Sequence, residues 1–300
     1  MLAVFDIGGT RIRGGHSPAP GEVQAVRECP TPRDDFNAFT AALRDLAGDA
    51  AGIAISIAGC IDPLTGRMKI ANIPCLDGRT LVEDLRAALG LPVWIGNDAD
   101  CFVLAEAGSG AGRGHRTVFG VILGTGVGGG LVIDGRLVAG AGGFAGEWGH
   151  GPVQETRPLG RDVPRFACGC GQVGCLDAIG SARGIERLHQ HLHGQMVGAE
   201  SIVTGWQAAE AAAQETVEVW LEIMSGPLAM VLNVVGATVV PVGGGMGRAT
   251  ALVAALDRAV SARRLWQAPG PVVVPALSVL EPGLIGASHG GAELLARAAL

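Results

Sequence analysis

The sequence lacks long apolar runs and strongly charged segments, and both absences narrow the class of protein. No stretch reaches the roughly 18 apolar residues of a membrane span. The opening MLAVFDIGGT lacks the basic end and long apolar centre of a signal peptide, because Asp6 interrupts it. With 22 basic and 28 acidic residues, the net charge is −6, and no basic run indicates a nucleic-acid groove. We therefore expect a cytoplasmic protein that binds neither membrane nor nucleic acid.

Two nucleotide-binding signatures are also missing. The P-loop pattern GxxxxGK[ST] does not occur. The stretch LGTGVGGG (residues 123–130) has the spacing of the dinucleotide motif G-x-G-x-x-G, but that motif must open a helix. Here LVIDGRLVAG follows, in which Asp134-Gly135 predicts a hairpin between two strands. The chain is therefore neither a P-loop enzyme nor a dinucleotide-binding protein.

The remaining composition is that of a folded α/β protein. Hydrophobic residues make up 48% and charged residues 17% of the 300 residues, enough for one large or two ordinary domains. Strand-like and helix-like segments alternate up to a glycine-rich stretch at residues 108–115, after which a second strand-rich unit begins. The pattern predicts two α/β lobes.

Three glycine-rich loops each follow an apolar strand-like segment: FDIGGTR (5–11), LGTGVGGG (123–130) and PVGGGMG (241–247). A single loop of this kind is typical of a tight turn. Three of them at strand ends favour backbone amides arranged around phosphate groups.

Three of the seven cysteines lie within eight residues, in CGCGQVGC (168–175). In a reducing compartment such crowding indicates metal or redox chemistry more than a disulfide framework. The spacing C-x-C-x4-C is not the common C-x2-C of zinc sites. On the residues alone, a metal site and a disulfide both remain open.

Taken together, DIGGT, LGTGVGGG, GEWGH and CGCGQVGC resemble, in this order, the ROK group of sugar kinases and sugar-responsive repressors. PTPRDDFNAF, NDADCFVLAEA and VPRFACGCGQVGC look most like bacterial N-acetylglucosamine kinases within that group. The resemblance implies two ribonuclease-H-like lobes of the actin/hexokinase type around a cleft for ATP and sugar. The first lobe would comprise residues 1–113 with a C-terminal helix at about 286–300, and the second, with a zinc site, residues 114–285.

The resemblance also implies residue roles for phosphoryl transfer. The family's catalytic aspartate matches Asp98, although on sequence alone Asn97-Asp98 is better explained as a helix cap. Asp6 would hold Mg²⁺ through water. Arg11 stands where many relatives carry lysine. The positions matching ATP-binding residues are Asp6, Gly8, Gly9, Thr10, Arg11, Thr125, Gly126, Gly128, Gly129, Gly130, Gly243, Gly244 and Gly245.

The resemblance also implies positions that contact the sugar and positions that bind a metal. Those matching sugar contacts are Gly59, Asn72, Asn97, Asp98, Glu147, His150 and Asp177. Asp177 departs from the family, which usually has the longer glutamate there. His150, Cys168, Cys170 and Cys175 would form a closed tetrahedral zinc site, structural and not catalytic.

The expected activity is transfer of the γ-phosphate of MgATP to the 6-hydroxyl of N-acetylglucosamine. Glucokinase, fructokinase and N-acetylmannosamine kinase activities are the alternatives. A repressor is disfavoured because we expect no helix-turn-helix region ahead of DIGGT. Relatives are commonly homodimers. His189 and His193, spaced i, i+4, predict a solvated helix end in preference to a metal pair.

Overall fold

The computed structural model describes residues 1–62, 64–278 and 281–298 as a mixed α/β protein. The strands in these residues are β1 (Leu2–Ile7), β2 (Arg11–Ser17), β3 (Gln24–Pro30), β4 (Gly52–Ile57), β5 (Cys60–Ile61), β6 (Met68–Lys69), β7 (Val93–Gly96), β8 (Thr117–Leu123), β9 (Val127–Ile133), β10 (Arg136–Leu137), β11 (Val240–Gly243) and β12 (Val273–Pro275). The helices are α1 (Phe36–Ala47), α2 (Leu81–Leu89), α3 (Asp98–Ser109), α4 (Asp177–Gly180), α5 (Ala182–His193), α6 (Ala199–Gln207), α7 (Ala211–Val235), α8 (Gly244–Gly247), α9 (Thr250–Ser261) and α10 (Pro282–Ala298).

The first sheet has the strand order β3-β2-β1-β4-β7. Strands β1, β4 and β7 are parallel, whereas β2 pairs antiparallel with both β1 and β3. All six residues of β4 are buried, as expected for a strand covered on both faces. Because β1, β4 and β7 are parallel, the residues that follow Ile7, Ile57 and Gly96 lie at one edge of the sheet.

The second sheet has the order β10-β9-β8-β11-β12, with β8, β11 and β12 parallel. Strands β9 and β10 form an antiparallel hairpin. Its turn residues Asp134 and Gly135 have φ values of 52° and 73°, which a two-residue hairpin turn requires. The hairpin predicted at Asp134-Gly135 is therefore confirmed, and with it the rejection of a dinucleotide motif.

The chain divides into two compact units. The first unit comprises Met1–Arg113, Leu131–Ala145 and Ser278–Leu300, and the second comprises Gly114–Gly130 and Gly146–Leu277. Helix α10 belongs to the first unit, and the last two residues expected for this helix, 299 and 300, lie outside the described residues. Leu131–Ala145 falls in the first unit, although the expected ranges assigned it to the second lobe; those ranges stay a prediction.

Within the described residues, α7 is long and apolar enough to cross a membrane. It contains Glu218 and Glu222, and half of its most apolar window is buried inside the protein. The helix packs against α5, α6 and α9 in the second unit. Since buried core helices meet the same criterion, α7 is weak evidence for a membrane span.

Candidate active site

The first glycine loop follows β1 in the first unit. A cavity of about 340 Å³ is lined by Asp6, Gly8, Gly9, Thr10, Arg11 and Arg13. The Gly8 amide donates to the Arg11 carbonyl at 3.0 Å, which closes the turn. Asn72 lies against this loop, because a Cβ on Gly9 would stand 3.0 Å from the Asn72 Cβ. Five of the positions expected to meet the nucleotide therefore line one cavity.

The half-buried carboxylate of Asp6 lies among other acidic groups. Burial raises its pKa, and the negative charges of Glu281 and Asp98 raise it further, while the nearby Ser56 hydroxyl and the charge of Arg13 lower it. Arg13 donates to Glu281 at 2.8 Å. Three acids with one arginine leave excess negative charge, and a nearby cation would offset it.

Asp98 is the first residue of α3, directly after β7. The helix cap is Asn97, whose side-chain oxygen accepts from the Asp100 amide at 2.6 Å. The Asp98 side chain is exposed, with one oxygen 3.0 Å from the Ala99 amide. The cap explanation thus holds for Asn97 and leaves the Asp98 carboxylate accessible.

A second cavity of the first unit, about 280 Å³, lies beside Asn97. Gly59 and Asn97, two of the expected sugar contacts, both line it, together with Met68, Trp94 and Asp100. Gly59 has φ +149°, and a Cβ there would stand 2.4 Å from the Met68 methyl group. Only glycine fits this position. The expected contacts Asn72 and Asp98 are not among the lining residues.

Arg11 pairs with a surface carboxylate. Its guanidinium donates to Glu28 at 2.7 Å, and its side chain is 64% exposed. A phosphate contact from Arg11 would have to compete with Glu28.

In the second unit, the other two glycine loops meet at a cavity of about 770 Å³. Gly124 and Thr125 from the loop after β8, and Gly245 and Met246 from α8 after β11, line it. This volume is within the range of small-ligand pockets. Two loops expected to bind one nucleotide are therefore brought together.

The residues expected to bind zinc also converge in the second unit. One ligand atom from each of His150, Cys168, Cys170 and Cys175 lies within 4.8 Å of the others. The Cys170 and Cys175 sulfurs are 3.7 Å apart, and Cys168 Sγ is 3.6 Å from His150 Nδ1. Tetrahedral zinc, with bonds of about 2.3 Å to sulfur and about 2.1 Å to nitrogen, holds its ligand atoms roughly 3.6–3.8 Å apart. The donor set fits this ion, and these two distances match its tetrahedral spacing.

The environments of these ligands differ. The backbone amide of Gln172 lowers the pKa of the exposed Cys170 thiol to about 7, while burial raises the pKa of Cys168 to about 12. The other ring nitrogen of His150, Nε2, is 3.8 Å from the Glu147 carboxylate. One imidazole thus faces the thiols with one nitrogen and an acid with the other.

Asp177, an expected sugar contact, lies between this Cys/His cluster and the glycine loop. One carboxylate oxygen accepts from the Val127 amide at 2.8 Å, and the other is 3.6 Å from Cys168 Sγ. Trp148 donates from Nε1 to the Gly128 carbonyl at 2.9 Å. Sequence reasoning missed Trp148, although its position inside GEWGH was a usable signal; it also missed Glu281, for which we find no local signal.

The expectation of a solvated helix end at His189 is wrong. His189 is 4% exposed and forms a 2.8 Å hydrogen bond between Nδ1 and Thr216 Oγ1. Its ring lies 4.8 Å from that of His193. The pair forms part of the packing between α5 and α7.

The two sheets, their parallel strands and the loops at the strand ends define an α/β protein of the actin/hexokinase-type two-lobe class, as expected. Residues 2–290 match the ROK family, and the chain belongs to it. It is 36% identical over 304 residues to the N-acetyl-D-glucosamine kinases of Escherichia fergusonii and of Citrobacter koseri, with 98% of this chain and 99% of each relative covered. The crystal structure of the ROK hexokinase from Thermus thermophilus is similar with a TM-score of 0.82 and 27% identity, covering 98% of this chain and 99% of that one.

Proposed function

We propose that the protein is an ATP-dependent sugar kinase that phosphorylates N-acetyl-D-glucosamine at its 6-hydroxyl, giving N-acetylglucosamine 6-phosphate and ADP. The observation that carries this proposal is the near full-length similarity to N-acetyl-D-glucosamine kinases at 36% identity. The grouping of the candidate residues within each unit supports it.

In this proposal Asp98 is the general base. A sugar hydroxyl is a weak acid, so a carboxylate must orient it and accept its proton as it attacks the γ-phosphorus. Asp98 is exposed at the end of a parallel strand, where ligands gather in α/β folds. The neighbouring Asn97 lines the 280 Å³ cavity with Gly59, which suits this cavity to the sugar.

Asp6 would hold Mg²⁺ through water, since hard cations prefer oxygen ligands. The excess negative charge around its carboxylate favours a cation there. When bound, the ion offsets charge on the transferring phosphoryl group. Gly8, Gly9 and Thr10 line the same cavity, where the Gly9 and Thr10 amides and the Thr10 hydroxyl would meet phosphate oxygens.

The 770 Å³ cavity of the second unit would take the nucleotide. Thr125 and the glycines that follow it, Gly126 and 128–130, would bind the β- and γ-phosphates. Gly243, Gly244 and Gly245 would lie under the adenosine. Backbone amides at such loops bind anions without bulky side chains in the way.

The Cys/His cluster would hold a structural zinc ion. All four positions are filled by protein atoms, so no open position remains for a reactive water. If His150 held the metal through Nδ1, its Nε2, 3.8 Å from the Glu147 carboxylate, would be directed at a sugar hydroxyl. Zinc would thus fix the tautomer and the ring orientation of a sugar contact.

A sugar panel tests the assignment. Initial rates of ADP formation are measured for N-acetylglucosamine, glucose, fructose and N-acetylmannosamine, with zinc quantified on the same preparation. We expect the highest kcat/KM for N-acetylglucosamine and one zinc per chain. A higher kcat/KM for glucose would reassign the substrate.

A cytoplasmic homodimer goes with this proposal, because ATP is cytoplasmic and ROK relatives are commonly dimers. Light scattering coupled to gel filtration distinguishes a dimer from a monomer of 30.4 kDa.

A further inference from the structure

The shortened acid Asp177 contacts a glycine loop directly. Its Oδ1 accepts a 2.8 Å hydrogen bond from the Val127 amide. The same oxygen would stand 2.8 Å from a Cβ on Gly126, so the loop backbone approaches the carboxylate more closely than a side chain would permit. Charge-assisted hydrogen bonds of this kind are about twice as strong as neutral ones.

The other end of the same carboxylate reaches the Cys/His cluster. Oδ2 of Asp177 is 3.6 Å from Cys168 Sγ. The Asp177 amide donates to the Gly149 carbonyl at 2.8 Å, and Gly149 immediately precedes the ligand His150. Asp177 is therefore held by the cluster through its side chain and through its backbone.

Two further contacts connect the His150 segment to the same loop. The Trp148 indole donates to the Gly128 carbonyl at 2.9 Å. A Cβ on Gly149 would stand 2.2 Å from the Val127 carbonyl oxygen, so these backbones are in contact. Residues 126–128 are thus fixed by groups that all belong to the segments carrying metal ligands.

We propose that Asp177 is a positioning residue that ties the phosphate-binding loop at residues 124–130 to the metal cluster, so that metal and nucleotide stabilise each other. The nucleotide part of this statement rests on the proposed function. A glutamate would add one methylene between the backbone and the carboxylate. The shorter Asp177 instead keeps its oxygen on the Val127 amide.

Hydrogen exchange on the zinc-loaded protein tests whether Asp177 holds the loop at residues 124–130 in place. Asp177→Ala leaves the Val127 amide without its acceptor, so exchange of residues 124–130 should accelerate by about 10-fold. Asp177→Asn keeps an oxygen in place and should restore part of the protection. Asp162→Asn removes an exposed carboxylate of the same unit and is the matched control, with no change expected.

Kinetics and metal release provide the second readout. In Asp177→Ala the KM for ATP should rise about 10-fold, while the KM for the sugar changes by less than about 2-fold. Because coupling is reciprocal, a non-hydrolysable ATP analogue should slow zinc release to a chelator about 5-fold in the wild type. This effect should disappear in Asp177→Ala.

Unchanged loop exchange together with a raised sugar KM would overturn the proposal and make Asp177 a sugar contact. Equal slowing of zinc release in both proteins would also overturn it. Loop exchange does not depend on which sugar is phosphorylated, so a wrong substrate and a wrong role for Asp177 give different results.

Discussion

The two units treat charge in opposite ways. In the first unit, Asp6, Asp98 and Glu281 bring carboxylates together, and burial with like charge raises the pKa of Asp6. In the second, three thiols and an imidazole bring a complete donor set for a cation together, and a backbone amide lowers the pKa of Cys170 to about 7. Under the proposed function, the first arrangement would gain from a cation that arrives with the substrate, whereas the second would hold a permanent one.

The largest effect should come from removing the base in the first unit. Asp98→Asn keeps the side-chain volume but cannot accept the hydroxyl proton. We expect kcat to fall by about 10²–10⁴-fold, the usual contribution of general base catalysis. Sugar affinity, measured by calorimetry, should change little. A near-normal kcat would exclude Asp98 as the base.

The second unit should instead fail through its metal. Cys170 is exposed, so Cys170→Ser removes a ligand without creating a core cavity. We expect zinc content to fall close to zero and the free energy of unfolding in urea to drop by about 3 kcal/mol or more. Cys29→Ser, a half-buried cysteine of the first unit, is the control and should retain full zinc content. Retention of the metal in Cys170→Ser would exclude this thiol as a ligand.

The features of the two units that the sequence predicts are local ones. The glycine loops, the Asp134-Gly135 hairpin and the strand before Asp98 follow from short patterns of residue type. Strands β2 and β3 escaped prediction because RIRGGHS carries two glycines and β3 is almost fully exposed, so neither has the apolar pattern of a buried strand.

No pattern in the sequence indicates which residues far apart in the chain contact each other. Arg13 and Glu281 are 268 residues apart in the chain, and the Asp177–Val127 bond spans 50. Such pairs depend on how the elements pack. The three cysteines of the Cys/His cluster could be grouped because they are close in sequence, and the histidine because of the family resemblance.

A smaller effect is expected from the Asp6 carboxylate, which lowers the free energy of unfolding at neutral pH. Asp6 has a folded pKa above its unfolded value of about 3.9. Its ionisation therefore removes stability as the pH rises from about 3.9 through the raised pKa. Asp6→Asn should gain about 0.5–2 kcal/mol at pH 7 while losing kinase activity, as at other strained active sites.

Urea unfolding of Asp6→Asn and the wild type at pH 7 measures the gain. Asp45→Asn, an exposed acid of the same unit, is the control and should leave stability unchanged. Lower stability of Asp6→Asn would mean that the favourable interactions of the Asp6 carboxylate with Ser56 and Arg13 outweigh the repulsion.

The smallest effect should be a pH response of opposite sign in the second unit. Burial and the charge of His193 lower the pKa of His189, so the unfolded chain takes up a proton more readily than the folded protein. The contribution of His189 to stability is therefore complete above about pH 6.5 and is lost as the pH falls below that value.

His189→Phe keeps a ring in the space beside Thr216 and removes the titration. Its unfolding free energy should change less between pH 7.5 and 5 than that of the wild type, by about 1 kcal/mol or less, whereas exposed His191→Gln should match the wild type. An equal pH slope in His189→Phe and the wild type would remove His189 as the cause. Asp6 of the first unit and His189 of the second would then no longer limit the pH range of stability from opposite sides.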